Sequence, residues 1–150
     1  YLSMGFGNPY GEPWNYEIVE KWIDKLNTLK VKVISLSDTI GLAKSKDIEI
    51  IFSNLIPKYN KIEFGSHFHA NPDQWFDKVN SAYKSGCRRF DGAILGFGGC
   101  PMAKDDLTGN IPTEKLISFF NSKALKTNIN SLNFESCYNH ALNLFSKFRG

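Results

Sequence analysis

The stretch Val31-Lys32-Val33-Ile34-Ser35-Leu36, with the polar run 37–46 and the periodic segment 47–59 behind it, decides the fold. The first piece reads as a buried strand. In the segment that follows, Ile48, Ile51, Phe52 and Leu55 recur on one helical face. Residues 61–69 then read as the next strand. Toward the N-terminus, Val19, Trp22, Ile23 and Leu26 mark a helix over 16–29, and residues 1–6 form a short strand before the turn-rich Gly7-Asn8-Pro9-Tyr10-Gly11. Toward the C-terminus, Pro72 opens a third helix lined by Trp75, Phe76, Val79, Ala82 and Tyr83, with Gly86 past its end. Residues 89–95 read as a fourth strand, and a glycine-rich loop over 96–109 leads to a helix starting near Pro112. A last helix over 131–148 carries Phe134, Tyr138, Ala141, Leu142 and Phe145. Four strand-then-helix units in a row predict an α/β domain, a parallel sheet with crossover helices, spanning 1–150 without a linker. Two architectures answer to that: an open doubly wound sheet, or half of an eight-stranded barrel, whose complete form takes ~250 residues.

Composition excludes several classes. The 150 residues are 42% hydrophobic and 22% charged, ordinary for one globular domain. No apolar run approaches the ~18 residues of a membrane span, so no membrane partner is expected. The net charge of +3 is scattered, which argues against a nucleic-acid surface. Three cysteines, Cys87, Cys100 and Cys137, make no even disulfide framework and favour a reducing compartment, the cytoplasm or a mitochondrial matrix. The first residue is Tyr1, so a targeting signal upstream would lie outside the sequence.

Ligands gather at the carboxyl ends of parallel strands in both architectures, and the polar residues here cluster there. His67 and His69, two of the chain's three histidines, stand at i and i+2 on a strand and leave the same face. Two neighbouring imidazoles can share one divalent cation; alternatively, one packs in the core while the other bonds a carbonyl. Asp38 ends the preceding strand. It faces the same mouth as a base or hydrogen-bond acceptor, or it caps the turn before Thr39-Ile40-Gly41. Asn110 precedes Ile111-Pro112, where it either caps a helix or offers an oxygen to a hard cation. Cys100, between Gly99 and Pro101, is a loop thiol suited to proton transfer, whereas Cys87 and Cys137 read as packing thiols and His140 has no assigned role. Gly96-x-Gly98-Gly99 lacks dinucleotide-fingerprint spacing and suits a lid over the mouth.

Taken together, Ser35-Leu36-Ser37-Asp38-Thr39-Ile40-Gly41, His67-x-His69, Gly98-Gly99-Cys100-Pro101 and Gly109-Asn110 resemble the C-terminal half of the 3-hydroxy-3-methylglutaryl-CoA lyase family. Gly7-Asn8-Pro9-Tyr10 and Asn110-Ile111-Pro112-Thr113-Glu114 extend the likeness across essentially the whole chain, in order. The resemblance implies the last four units of a (β/α)8 TIM barrel of the DRE-TIM metallolyase superfamily. It also implies cleavage of 3-hydroxy-3-methylglutaryl-CoA to acetyl-CoA and acetoacetate with Mg²⁺ or Mn²⁺. By motif match, His67, His69 and Asn110 would be metal ligands, and Cys100, Asp38 and His67 catalytic. Asp38, Gly98 and Gly99 would contact an acyl-CoA substrate.

The chain departs from the family in two places. It has no Asp-Arg dipeptide, the pair that the family's first strand supplies as a further metal ligand and an enolate stabiliser; its arginines are Arg88, Arg89 and Arg149. The span from Cys100 to Asn110 is about one residue longer than the family pattern and carries Asp105-Asp106. These departures lead to the expectation of a fragment lacking the N-terminal half of its barrel, inactive by itself. Its sheet edges would be exposed, and its partner either that missing half or a second copy in a homo-oligomer. Two other readings stand beside it. One is a condensing relative of the isopropylmalate or homocitrate synthase type, whose loop is typically Gly-Glu-Arg-x-Gly-Asn where this chain has Gly-Gly-Cys-Pro. The other is a non-catalytic half-barrel that binds a metal or a partner.

Overall fold

The computed structural model describes residues 1–99 and 108–148. In chain order the helix α1 is Tyr16–Thr28, the strand β1 Val33–Asp38, α2 Ser45–Lys58, β2 Glu63–Ala70 and α3 Trp75–Lys84. A two-residue strand β3, Arg89–Phe90, follows, then a 3₁₀ turn at Ile94–Gly96 and a second two-residue strand, β4, Gly109–Asn110. The chain finishes with α4, Thr113–Ser122, α5, Ser131–Phe145, and a 3₁₀ turn at Ser146–Phe148.

β1, β2 and β3 pair in parallel and lie in sequence order. Leu2 adds a parallel bridge to Leu36 on the far side of β1, with its N–H on Ser35 O at 2.9 Å and its O accepting from Ser37 N–H at 3.0 Å. A doubly wound sheet reverses its order at a switch point; this one does not. Its strands advance in one direction, as in a segment of a barrel.

Period two sorts the sheet's side chains. One face of β1 and β2 carries Ile34, Leu36, Phe64 and Phe68, all buried, and α2 covers it with Ile48, Ile51, Phe52 and Leu55 while α3 brings Val79 and Ala82. Fully burying a side chain such as Phe52 contributes about 1.5–3 kcal/mol. The opposite face carries small and polar groups: Ser35 pairs with Gly65, and Ser37 with His67. That is the face that carries His67 and His69.

Four expectations are corrected. Pro72 lies in a turn and α3 begins at Trp75. Phe76 is half exposed, although its ring meets Phe119 edge-on at 5.7 Å. The strand expected over 89–95 stops after Phe90, and residues 94–96 form a 3₁₀ turn in which Leu95 takes a positive φ of 60°. A Cβ on Gly92 would come within 2.7 Å of Ile111 O, the acceptor for Ala93 N–H, so only glycine permits this close crossing of the two segments. Finally, Cys137 is exposed on α5, none of whose residues is buried. Cys87 is buried, and burial pushes its thiol up to about 11. Iodoacetamide at pH 8 is therefore expected to alkylate Cys137 readily and to leave Cys87 unmodified until denaturant is added, as read by peptide mass spectrometry. Among the described residues, no helix is long and apolar enough to cross a membrane.

Candidate metal centre

β2 delivers His67 and His69 to the polar face, two residues apart, with ring centroids 5.3 Å apart and planes at 76°. β4 runs antiparallel to the end of β2, and its register sets Asn110 directly opposite His69. Residues opposed in an antiparallel pair project to the same side. The structure therefore brings His67, His69 and Asn110 onto one face at the carboxyl end of β2. The antiparallel β4 was not expected from the sequence; it forms because Asn110 N–H bonds Gly98 O at 3.0 Å and turns the chain back along β2.

His69 and Asn110 are each already committed on one of their two polar atoms. His69 is buried, and its Nδ1 lies 2.8 Å from Thr39 O. A carbonyl only accepts, so Nδ1 carries the proton and Nε2 keeps its lone pair. Asn110 Nδ2 donates to Phe97 O at 2.9 Å and Gly98 O at 3.0 Å, which leaves Oδ1 as its remaining acceptor. His67 stands beside Asp91, with Nδ1 3.6 Å from Oδ2. Burial lowers the His67 pKa from its ordinary value, the neighbouring His69 lowers it further, and Asp91 opposes both. The imidazole is thus kept neutral at pH 7, the state in which it ligates metals. Two imidazole nitrogens and a carboxamide oxygen, those of His69 and Asn110 steered by fixed hydrogen bonds, suit a divalent cation that takes its other donors from elsewhere. Among the described residues, no group of three or more His, Cys, Asp and Glu side chains gathers.

Asp38 is placed elsewhere. It pairs in register with Phe68, hence on the helix-covered face, and is 1% exposed. β1 runs to Asp38, and period two puts its carboxylate on the side of the buried Ile34 and Leu36, away from the mouth. Its Oδ1 accepts from Ala43 N–H at 3.0 Å and its Oδ2 from Lys78 Nζ at 2.6 Å. The expected substrate-facing carboxylate is instead a turn cap and ion-pair partner. Lys78 also donates to Gly41 O and His69 O, both at 2.9 Å, so one buried ammonium ties β1, the loop after it and the end of β2. The sequence carries a signal for it: Lys78 lies on the apolar stripe of α3, between Trp75 and Ala82.

Gly98 and Gly99 are exposed beside Asn110. Gly98 offers its carbonyl to Asn110, and a Cβ on Gly99 would meet Thr108 O at 2.6 Å. Cys100 lies outside the described residues. Among the described residues, two of the cavities beside the centre are large. One, of about 810 Å³, is bounded by His67, Asp91 and Tyr1 on one side and by Leu116 and Phe120 of α4 on the other. The other, of about 570 Å³, opens at the carboxyl ends of β1 and β2 among Asn8, Tyr10, Leu42, Gln74 and Thr108.

Residues 5–140 match the family model described as HMGL-like. This chain belongs to the HMGL-like family. Within that family, it is 31% identical over 129 residues to a hydroxymethylglutaryl-CoA lyase of Bacillus subtilis, covering 86% of this chain and 43% of that protein. The crystal structure of a Bacillus subtilis HMG-CoA lyase superposes with a TM-score of 0.88 at 28% identity, covering 97% of this chain and 49% of that one. An Acinetobacter baumannii HMG-CoA lyase in complex with coenzyme A and 3-methylmalate superposes with a TM-score of 0.83 at 28% identity, over 96% of this chain and 47% of that one. The HMGL-like chain thus spans about half the length of the relatives it matches, and its fold is that of part of their TIM barrels.

Proposed function

We propose that this chain supplies the cation-binding half of a divalent-metal-dependent lyase that cleaves 3-hydroxy-3-methylglutaryl-CoA to acetyl-CoA and acetoacetate. The observation that carries the reading is the convergence of His67, His69 and Asn110 on one face at a strand's carboxyl end, with one polar atom of His69 and of Asn110 already fixed. Kinship with enzymes named as lyases favours cleavage over condensation. The relative that holds coenzyme A supports an acyl-CoA thioester as the substrate class.

In this reading His67 and His69 would hold Mg²⁺ or Mn²⁺ through Nε2, and Asn110 through Oδ1. The bound cation would supply the Lewis acidity that acidifies the substrate's alcohol. The residues around it hold geometry: Thr39 O keeps the His69 ring in one tautomer, and the Phe97 and Gly98 carbonyls keep the Asn110 oxygen turned inward. Gly98 and Gly99 let substrate approach the backbone beside Asn110. Cys100 is assigned the proton delivered to the departing acetyl carbon, a role that a loop thiol can fill. No Asp-Arg dipeptide occurs in the chain, so a further anionic ligand and the cation that stabilises the enolate must come from another barrel segment or another subunit.

The test is acetoacetate release from the thioester by the full-length gene product, with Mg²⁺ or Mn²⁺ and after chelation. Cleavage that disappears with EDTA and returns with either ion is expected, while the 150-residue chain alone should show no turnover. A full-length protein that binds Mn²⁺ but releases no acetoacetate would overturn the lyase reading and favour a binding module.

A further inference from the structure

Two side-chain atoms, His67 Nδ1 and Asp91 Oδ2, are buried without a hydrogen-bond partner among the described residues. They face each other at 3.6 Å. That gap exceeds the 2.7–3.2 Å of an N–H···O bond by a few tenths of an ångström, a distance that a small side-chain rotation removes. Leaving both buried atoms unpaired is costly, so a bond between them is the low-energy arrangement.

The backbone holds the two residues in place. Phe90 pairs with Ser66, and Asp91 N–H continues the ladder onto Ser66 O at 3.0 Å, which sets Asp91 beside His67 on the polar face. The Tyr1 ring packs edge-on against His67 at 5.3 Å, and the neighbouring Asp91 raises the Tyr1 pKa above its ordinary value.

We infer that Asp91 is a positioning residue that accepts the Nδ1 proton of His67 and so turns its Nε2 toward the same cation that His69 faces. His69 is steered in the same way by Thr39 O at 2.8 Å. With both rings bonded through Nδ1, both Nε2 lone pairs are free on the same face of β2. A carboxylate behind a ligating imidazole fixes the tautomer and raises the ligand's basicity. This inference rests on the proposed cation site and adds to it the partner that orients His67.

The test uses the full-length protein and its Asp91→Ala and Asp91→Glu variants. Mn²⁺ affinity is read by electron paramagnetic resonance, and the tautomers of ¹⁵N-labelled histidines by long-range ¹H–¹⁵N spectra with Mg²⁺. His67→Gln and His69→Gln provide the assignments. Asp91→Ala is expected to weaken Mn²⁺ about 10–100-fold, to remove the tautomer preference of His67 and to leave the signals of His69 unchanged. Asp91→Glu should recover part of the affinity. Wild-type-like affinity and His67 tautomer in Asp91→Ala would overturn the inference while the cation site stands. A wild-type protein that binds no Mn²⁺ would overturn both.

Discussion

Lys78→Met is expected to destabilise the domain by about 3–5 kcal/mol, the range for removing one partner of a buried ion pair. Lys78 is 4% exposed and Asp38 1%, and their polar atoms are 2.6 Å apart. Methionine fills much the same volume but donates nothing. It leaves the Asp38 carboxylate with only the Ala43 N–H, and it frees the carbonyls of Gly41 and His69. The double variant Lys78→Met with Asp38→Leu should recover part of the loss, because an apolar pair of similar volume often matches a buried ionic one. Recovery stays partial since the two carbonyls remain unpaired. Urea unfolding followed by circular dichroism reads both variants, and a loss under 1 kcal/mol for Lys78→Met would contradict the account.

His69→Ala is expected to lower affinity for Mn²⁺ by more than about 100-fold, beyond the 10–100-fold typical of groups that only orient a ligand. His69 is buried, its ring is fixed by Thr39 O, and it stands opposite Asn110 across the ladder. Asp38→Asn provides the contrast. It should reduce stability and leave affinity within a few-fold, because Asp38 lies on the helix-covered face. Isothermal titration of both variants beside the parent protein checks this, and equal losses of affinity in the two would refute the assignment of faces.

Much of the fold was legible because its signals are periodic. The Ile48-Ile51-Phe52-Leu55 stripe and the run from Val33 to Leu36 leave few alternatives, and α2 and β1 fall within two residues of where those patterns place them. Periodicity alone did not separate an open sheet from part of a barrel, since both use the same repeating units; the family resemblance chose the barrel, and the strand order agrees. The face taken by Asp38 depends on where β1 ends, and strand ends are set by partners distant in sequence. Lys78 and Asp91 were passed over for related reasons. A lone lysine on an apolar stripe and a lone aspartate after a short strand acquire meaning only when Asp38 and His67 arrive from other elements. The proximity of His67, His69 and Asn110 was half legible: period two gives the histidine pair, whereas the antiparallel return of Gly109–Asn110 leaves no local pattern.

That return has an evolutionary reach. Asn110 N–H on Gly98 O, and Thr108 Oγ1 on Asn71 Oδ1 at 2.8 Å, staple both shoulders of the connection to the framework. Lengthening the stretch between the staples adds only a small closure entropy, about 0.6 kcal/mol for each doubling. A change of length between the staples therefore leaves the carboxamide anchored where it is.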